Sequence, residues 1–293
     1  MIKDNFGCQN GENMKNYTQE YFAGERALFS THGAKITDSV FEAGESPLKE
    51  SGELEIDGCV FGWKYPLWYC RDVKVKNTTL LEGARSGIWY THGISISDSV
   101  IGAPKTFRRS SGISLSSVSI PKAQETLWNC RDITICDVTA VGDYFGFGSE
   151  NIECDNFVID GNYLFDGGKN IRVKNSKLIS KDAFWNTENV TVENSLIIGE
   201  YLGWNSKNVT FINCTIQSLQ GMCYMQDVKL VNCKLINTTL AFEYSSVDAQ
   251  IVGKIDSVKN PLPGSVIRAD SIQETILNEE YTDPNKLKIK TNS

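Results

Sequence analysis

Apolar and polar positions recur along this chain with a period of about 19 to 21 residues. Each unit carries an alternating apolar pair, a small polar residue two places on, and a further apolar residue three places beyond that. The second apolar residue of each pair is Ile36, Ile56, Val75, Ile96, Leu115, Ile135, Cys154, Val173, Val192, Phe211 and Leu230. The small polar position begins as Asp38, Gly58, Asn77, Asp98, Ser117 and Asp137, then becomes Asn156, Asn175, Asn194, Asn213 and Asn232. Alternation within a unit signals strand rather than helix, and a fixed repeat of this length signals a solenoid. A leucine-rich repeat is excluded because its leucine spacing is missing. Three short strands per coil, wound right-handedly and stacked about 4.8 Å apart, give an all-β, single-stranded right-handed parallel β-helix of about 11–12 coils. Residues 1–16 match no coil and are expected to be a flexible extension, 17–277 the β-helix, and 278–293 a loose charged tail. The Asn column has a structural task in this fold. Asn tolerates left-handed backbone, and stacked amides satisfy turn groups from coil to coil.

A further short segment precedes each apolar pair, as in Pro66-Leu67-Trp68, Gly87-Ile88-Trp89, Thr126-Leu127-Trp128, Ala183-Phe184-Trp185 and Leu202-Gly203-Trp204. Its middle position is apolar almost throughout and is expected to point inward, so its follower points outward. The follower column contains Trp68, Trp89, Trp128, Trp185 and Trp204, together with Lys49, Arg108 and Asp166. Unpaired charges are rarely buried, which places the column outside. About four residues earlier stand Lys64, Arg85, Lys105, Glu125, Asp143, Asp182 and Glu200. The two columns describe a shallow groove with an aromatic wall and a charged wall. The opposite phase, with Trp inside the core, is the competing reading.

If the groove holds, spaced indoles and charges suit an oligo- or polysaccharide, with Lys49, Trp68, Arg85, Trp89, Lys105, Glu125, Trp128, Trp185 and Trp204 as its binding residues. Candidate catalytic residues are Asp143, Asp166, Asp182, Glu200 and Arg108. Carboxylates on adjacent coils stand about 5 Å apart and on alternate coils about 10 Å, spacings that bracket those of glycosidase pairs. Asp143 with Asp166, and Asp182 with Glu200, are the admissible pairs; a lyase would take Arg108 or Lys105 as base. An enzyme here would be a polysaccharide lyase or glycoside hydrolase. The alternative is a non-enzymatic scaffold that docks a protein on the same face. No cofactor is evident; an acidic cluster could take Ca²⁺, but nothing in the sequence resembles an EF-hand loop.

Composition narrows these choices. The 293 residues include 24 Gly, 7 Pro, 9 Cys and only 2 His, with a net charge of −7. The acidic balance argues against a nucleic-acid partner, and no apolar run is long enough for a membrane helix. Two histidines, His32 and His92, each in Thr-His-Gly, leave little scope for His-based metal or triad chemistry. Nine cysteines without metal spacing read as buried free thiols, and with no visible signal peptide they imply a cytoplasmic setting.

The strings Gly24-Glu25-Arg26-Ala27-Leu28-Phe29, Glu45-Ser46-Pro47-Leu48-Lys49-Glu50-Ser51, Lys64-Tyr65-Pro66-Leu67-Trp68-Tyr69-Cys70, Lys105-Thr106-Phe107-Arg108-Arg109-Ser110 and Leu240-Ala241-Phe242-Glu243-Tyr244 resemble a bacterial domain-of-unknown-function family, number 3737. That family is grouped with the pectin-lyase-like right-handed β-helices. The resemblance spans about Tyr17 to Asp270. It implies the fold and carries no assigned activity, substrate or catalytic residue. Neither a complete set of polygalacturonase acidic motifs nor the calcium-plus-arginine pattern of pectate lyases is present.

Overall fold

The computed structural model describes residues 14–292. It is a right-handed parallel β-helix whose strands pair in parallel register through about 15 turns. The apolar column identified in the sequence forms one continuous row, beginning Tyr17↔Ile36↔Ile56↔Val75 and ending Leu230↔Ala249↔Ile267↔Ile289. Its side chains are buried from Ile36 onward to Ile267. The rod therefore has more rungs than the 11–12 expected. The extra ones lie at the ends, where the Asn marker is missing but the apolar alternation persists.

Two ladders of strands make two sides of each coil. The first is six residues long in units such as Gly52–Asp57 and Lys169–Lys174. The second is short, as in Val40–Phe41 and Val60–Phe61, and its inward Phe22, Phe41 and Phe61 stack at 4.7 and 4.6 Å. Between the two ladders the small polar column bends the chain. Asn156, Asn175, Asn194, Asn213 and Asn232 all have φ between 50° and 53°, the left-handed region that Asn tolerates. Their amides bond along the rod: Asn213 Nδ2 donates to Asn194 Oδ1 at 3.1 Å and Asn232 Nδ2 to Asn213 Oδ1 at 2.8 Å.

Immediately after that bend runs a buried column of hydroxyls and thiols. Ser176 Oγ accepts the Phe157 N–H at 3.0 Å and donates to Lys174 O at 2.7 Å; Ser195 does the same for Ser176 N–H and Glu193 O. Cys214 and Cys233 continue the column. A second such column links Cys70 N–H to Thr91 Oγ1 and Cys130 N–H to Ser149 Oγ. The eight described cysteines are all free and all buried except the half-buried Cys136. Burial pushes the Cys70 and Cys130 thiols up to about 12, so these groups stand in for serine in a turn lattice and are not nucleophiles.

The third side departs from the expected strand. Among the described residues strands pair there in two places: Ile88–Trp89 with Phe107–Arg108, and, near the end of the rod, Lys254–Lys259 with Ser271–Ile276, which joins this side through the Ala241–Val258 bridge. Elsewhere it is a run of turns, because left-handed residues alternate with extended ones: Glu125, Leu127 and Asn129 (φ 51°, 58° and 52°), then Asp182, Phe184 and Asn186 (φ 58°, 57° and 54°). Backbone bonds from coil to coil still hold it, such as Asn129 N–H to Phe147 O at 2.8 Å.

Both ends extend beyond the expected 17–277. Residues 1–13 lie outside the described residues, but Lys15–Thr18 already pairs with the next rung. At the other end Lys288–Thr291 pairs with Val266–Ala269, and Thr282 Oγ1 donates to the buried Pro261 carbonyl. The segment expected to be a loose tail thus supplies the last rung. No helix among the described residues is long and apolar enough to cross a membrane.

Candidate functional site

The third side carries the sequence-predicted groove residues, and the inward phase of its middle position is unambiguous. Leu48, Leu67, Ile88, Phe107, Leu127, Phe165 and Phe184 are fully buried. Trp68, Trp89, Trp128, Trp185 and Trp204 are half-buried on the outside of the coil, so the reading with Trp in the core is excluded.

Their use differs from the expectation. Trp68 and Trp89 stack at 5.1 Å and 8°, Trp185 and Trp204 at 5.7 Å and 8°, and Trp128 on Phe147 at 4.2 Å. Rings stacked in successive rungs cover one another's faces. Four indole N–H groups are spent as well: Trp68 donates to Ser86 O, Trp89 to Lys105 O, Trp185 to Tyr201 O and Trp204 to Gln220 O, all within 2.9 Å. Each of these Trp side chains therefore ties its own coil to the next. The ring faces that a sugar would stack on are largely occupied; ring edges face solvent.

The charged residues fall into two clusters. In the first, Arg108 lies between Trp89 (4.8 Å) and Trp128 (5.2 Å) and donates to Glu125 at 2.8 Å, which also pairs with Lys105 at 3.1 Å. The guanidinium replaces a ring in the stack, and its charge is matched by Glu125. Arg108 is thus a cation held by two π faces and a carboxylate, which removes it from use as a base. Nearby, Lys49 lies over Tyr69 at 5.5 Å and near Glu50, Lys64 pairs with Glu45, and Arg85 is exposed.

The second cluster lies three rungs further along, about 14 Å at the rung spacing. Asp182 occupies the same turn column as Tyr163 and Tyr201. Its residue is only 3% exposed, and its Oδ1 has no hydrogen-bond partner. Burial raises its pKa; Lys181 and the Tyr163 hydroxyl oppose that rise, while Glu200 and Asp166 add to it. The charge of Asp182 in turn raises the Tyr163 phenol. Glu200 is paired with Lys181 at 3.2 Å. Asp166, one rung below Asp182, accepts from Asn186 Nδ2 at 2.8 Å. Asp143 stands one rung further down and caps the Asn162 backbone N–H at 2.7 Å. The structure therefore brings together Asp166, Asp182 and Glu200 beside Trp185, and leaves Asp143 as a turn acceptor. Among the described residues no group of three or more His, Cys, Asp or Glu side chains is placed to hold a metal ion.

With this geometry in hand, residues 15–290 match the family described as "Protein of unknown function (DUF3737)". The chain belongs to that family. No curated protein matches it. Among solved structures, the DUF3737 chain is similar to the A-module of the mannuronan C-5 epimerase AlgE4 of Azotobacter vinelandii, at 8% identity and TM-score 0.33, covering 94% of this chain and 88% of that one. It is also similar to PfbA, a surface adhesin of Streptococcus pneumoniae (8%, TM-score 0.40, 94% and 83%). A third is the tailspike of E. coli bacteriophage HK620, solved with a pentasaccharide (8%, TM-score 0.40, 94% and 72%). At such scores these likenesses carry no inference about what the DUF3737 chain does.

Sequence reasoning missed Tyr163, Tyr201 and Lys181 around Asp182. A signal for the tyrosines was present: Tyr144, Tyr163 and Tyr201 occupy successive places of one turn column on either side of Asp182, so Asp182 stands between tyrosines, whereas Glu125 of the same column follows Lys105.

Proposed function

We propose that the third side is a carbohydrate-binding or carbohydrate-active surface centred on Asp166 and Asp182. The observation that carries this reading is Asp182: a nearly buried carboxyl with one unpartnered oxygen and a raised pKa, one rung from a second carboxyl, among tyrosines and an indole edge. A carboxyl whose surroundings favour the protonated form suits a general acid, and a more solvated neighbour suits a base or nucleophile. Carboxyls one rung apart are compatible with glycosidic-bond chemistry. The aromatic stack then contributes edges and tyrosine hydroxyls along the surface. Incubating the protein with a glycan library and following reducing-end or unsaturated-product release tests the idea. Turnover that Asp182→Asn and Asp166→Asn abolish, and Asp143→Asn leaves intact, supports it. Turnover unaffected by either of the first two removes these residues from the chemistry.

The stacked indoles favour a second reading, a non-enzymatic scaffold, because their faces and N–H groups already serve the rod. In that case no library member is bound or turned over, and Trp185→Phe alters only stability.

A further inference from the structure

The outer face of the first ladder holds a separate cleft of about 510 Å³, well away from the Trp column. One wall is a second amide ladder: Asn151 Nδ2 donates to Asp132 Oδ1, Asn170 to Asn151, Asn189 to Asn170 and Asn208 to Asn189, at 2.8–3.0 Å. Each inner amide spends one N–H and one oxygen lone pair on its neighbours, leaving one donor and one acceptor free in every rung. Hydroxyl groups, which both donate and accept, are the matching chemistry.

The floor is the outward row Thr134, Glu153, Arg172, Thr191 and Thr210. Glu153 and Arg172 are exposed neighbours in register, yet neither side chain makes an ion pair or hydrogen bond among the described residues. Several other opposite charges along this rod do pair. Lys74 meets Glu55 at 3.4 Å on the same row, Lys174 meets Asp155 at 3.1 Å on the adjoining row, and Arg268 meets Asp248 at 2.9 Å. On this row Lys35 and Lys229 also stand apart from Glu55 and Asp248, but those carboxylates bond elsewhere; in Glu153 and Arg172 neither charge has a partner among the described residues, and the two stand in the middle of this cleft.

We propose that this cleft is a second, separate binding site, for a short oligosaccharide lying along the rod axis. The hydroxyls of the sugar engage the Asn wall and the Thr floor rung by rung, while Glu153 and Arg172 take the central ring. Five rungs span about 19 Å, room for roughly four sugar rings, and the volume is that of an ordinary ligand site. The proposal shares the substrate class of the third side but none of its residues.

The test is calorimetric titration of the full chain with cellotetraose, maltotetraose and tetragalacturonate, with Trp emission followed in parallel. At least one probe is expected to bind with little change in Trp emission, since no Trp lines the cleft. Arg172→Ala and Glu153→Gln each weaken it at least about tenfold, the scale of a lost charge-assisted hydrogen bond, whereas Asp182→Asn has no effect. Both cleft residues are exposed, so the variants fold, and an unchanged thermal transition verifies it. Failure of every probe to bind, or wild-type affinity in both cleft variants, overturns the proposal. Binding lost in Asp182→Asn but kept in Arg172→Ala overturns it too, and places the sugar on the third side instead.

Discussion

Single residues in this rod do two kinds of work, and Asp182 and Asn213 show them. A carboxyl whose folded-state pKa lies above its unfolded value binds its proton more tightly when folded. Stability then falls as pH rises from near the ordinary value of 3.8 through the raised one. Asp182→Asn removes that penalty while keeping the shape. The variant is expected to melt at or above wild type at pH 7 and level with it below pH ~4, where both carry a neutral side chain. Calorimetry at the two pH values reads this directly, since a kcal/mol is worth about 2–4 °C in a large single domain. Asn213 has the opposite role, stabilising through φ 53° and two amide bonds. Asn213→Gly loses the bonds alone, and Asn213→Ala loses them and adds left-handed strain of about 1–2 kcal/mol. Denaturant titration should rank wild type above Gly and Gly above Ala.

Among elements, the turns set the tolerances because backbone meets backbone there. A Cβ at Gly199 would fall against Ser180 O, at 1.9 Å, whereas nothing lies within 4 Å of one at Gly253. Gly199→Ala is therefore expected to cost several kcal/mol by overpacking and rung displacement. Gly253→Ala should cost only the strain of its positive φ, about 1–2 kcal/mol, and urea midpoints separate the two. This scale also shows what the sequence could disclose. The two ladders and the Asn bend were legible because alternation and a single small polar residue per coil encode them directly. The third side was legible only in its inward phase. Leu127, Phe165 and Phe184 adopt left-handed φ although no propensity favours it; stacking against neighbouring coils imposes it. The direction of the indoles was hidden for the same reason. Trp recurring in one column of a 19-to-21-residue repeat reads equally as a row of open faces or as a closed stack, and the N–H bonds to Ser86 O and Tyr201 O decide for the stack. The number of rungs came out short because Tyr17, Ala249, Ile267 and Ile289 continue the apolar row without the polar marker, and of these only Ile289 lies outside the expected 17–277.

As a whole molecule, the rod is a near-sum of rungs that touch only their neighbours. Removing one complete rung should leave the rest in register. Deleting residues 94–112 joins Gly93 to Ile113, the partner of Ile94 in the next rung, and brings Trp89 next to Trp128. The shortened protein is expected to keep its β-sheet circular dichroism and to be about 4.8 Å shorter by small-angle scattering. A deletion of half a rung, which reverses the inward phase, should not fold.

The paired indoles have an optical consequence. Two indoles with centroids 5.1 Å apart and ring planes 8° from parallel at Trp68 and Trp89, and two more 5.7 Å apart at Trp185 and Trp204, should couple as excitons, and any in-plane skew between their transition dipoles would show as a couplet in the ultraviolet circular dichroism. One couplet belongs to the early coils and the other to the late ones, so Trp68→Phe would leave only the late couplet and Trp185→Phe only the early one. Melting the two variants side by side would then show which half of the solenoid comes apart first, with no label added.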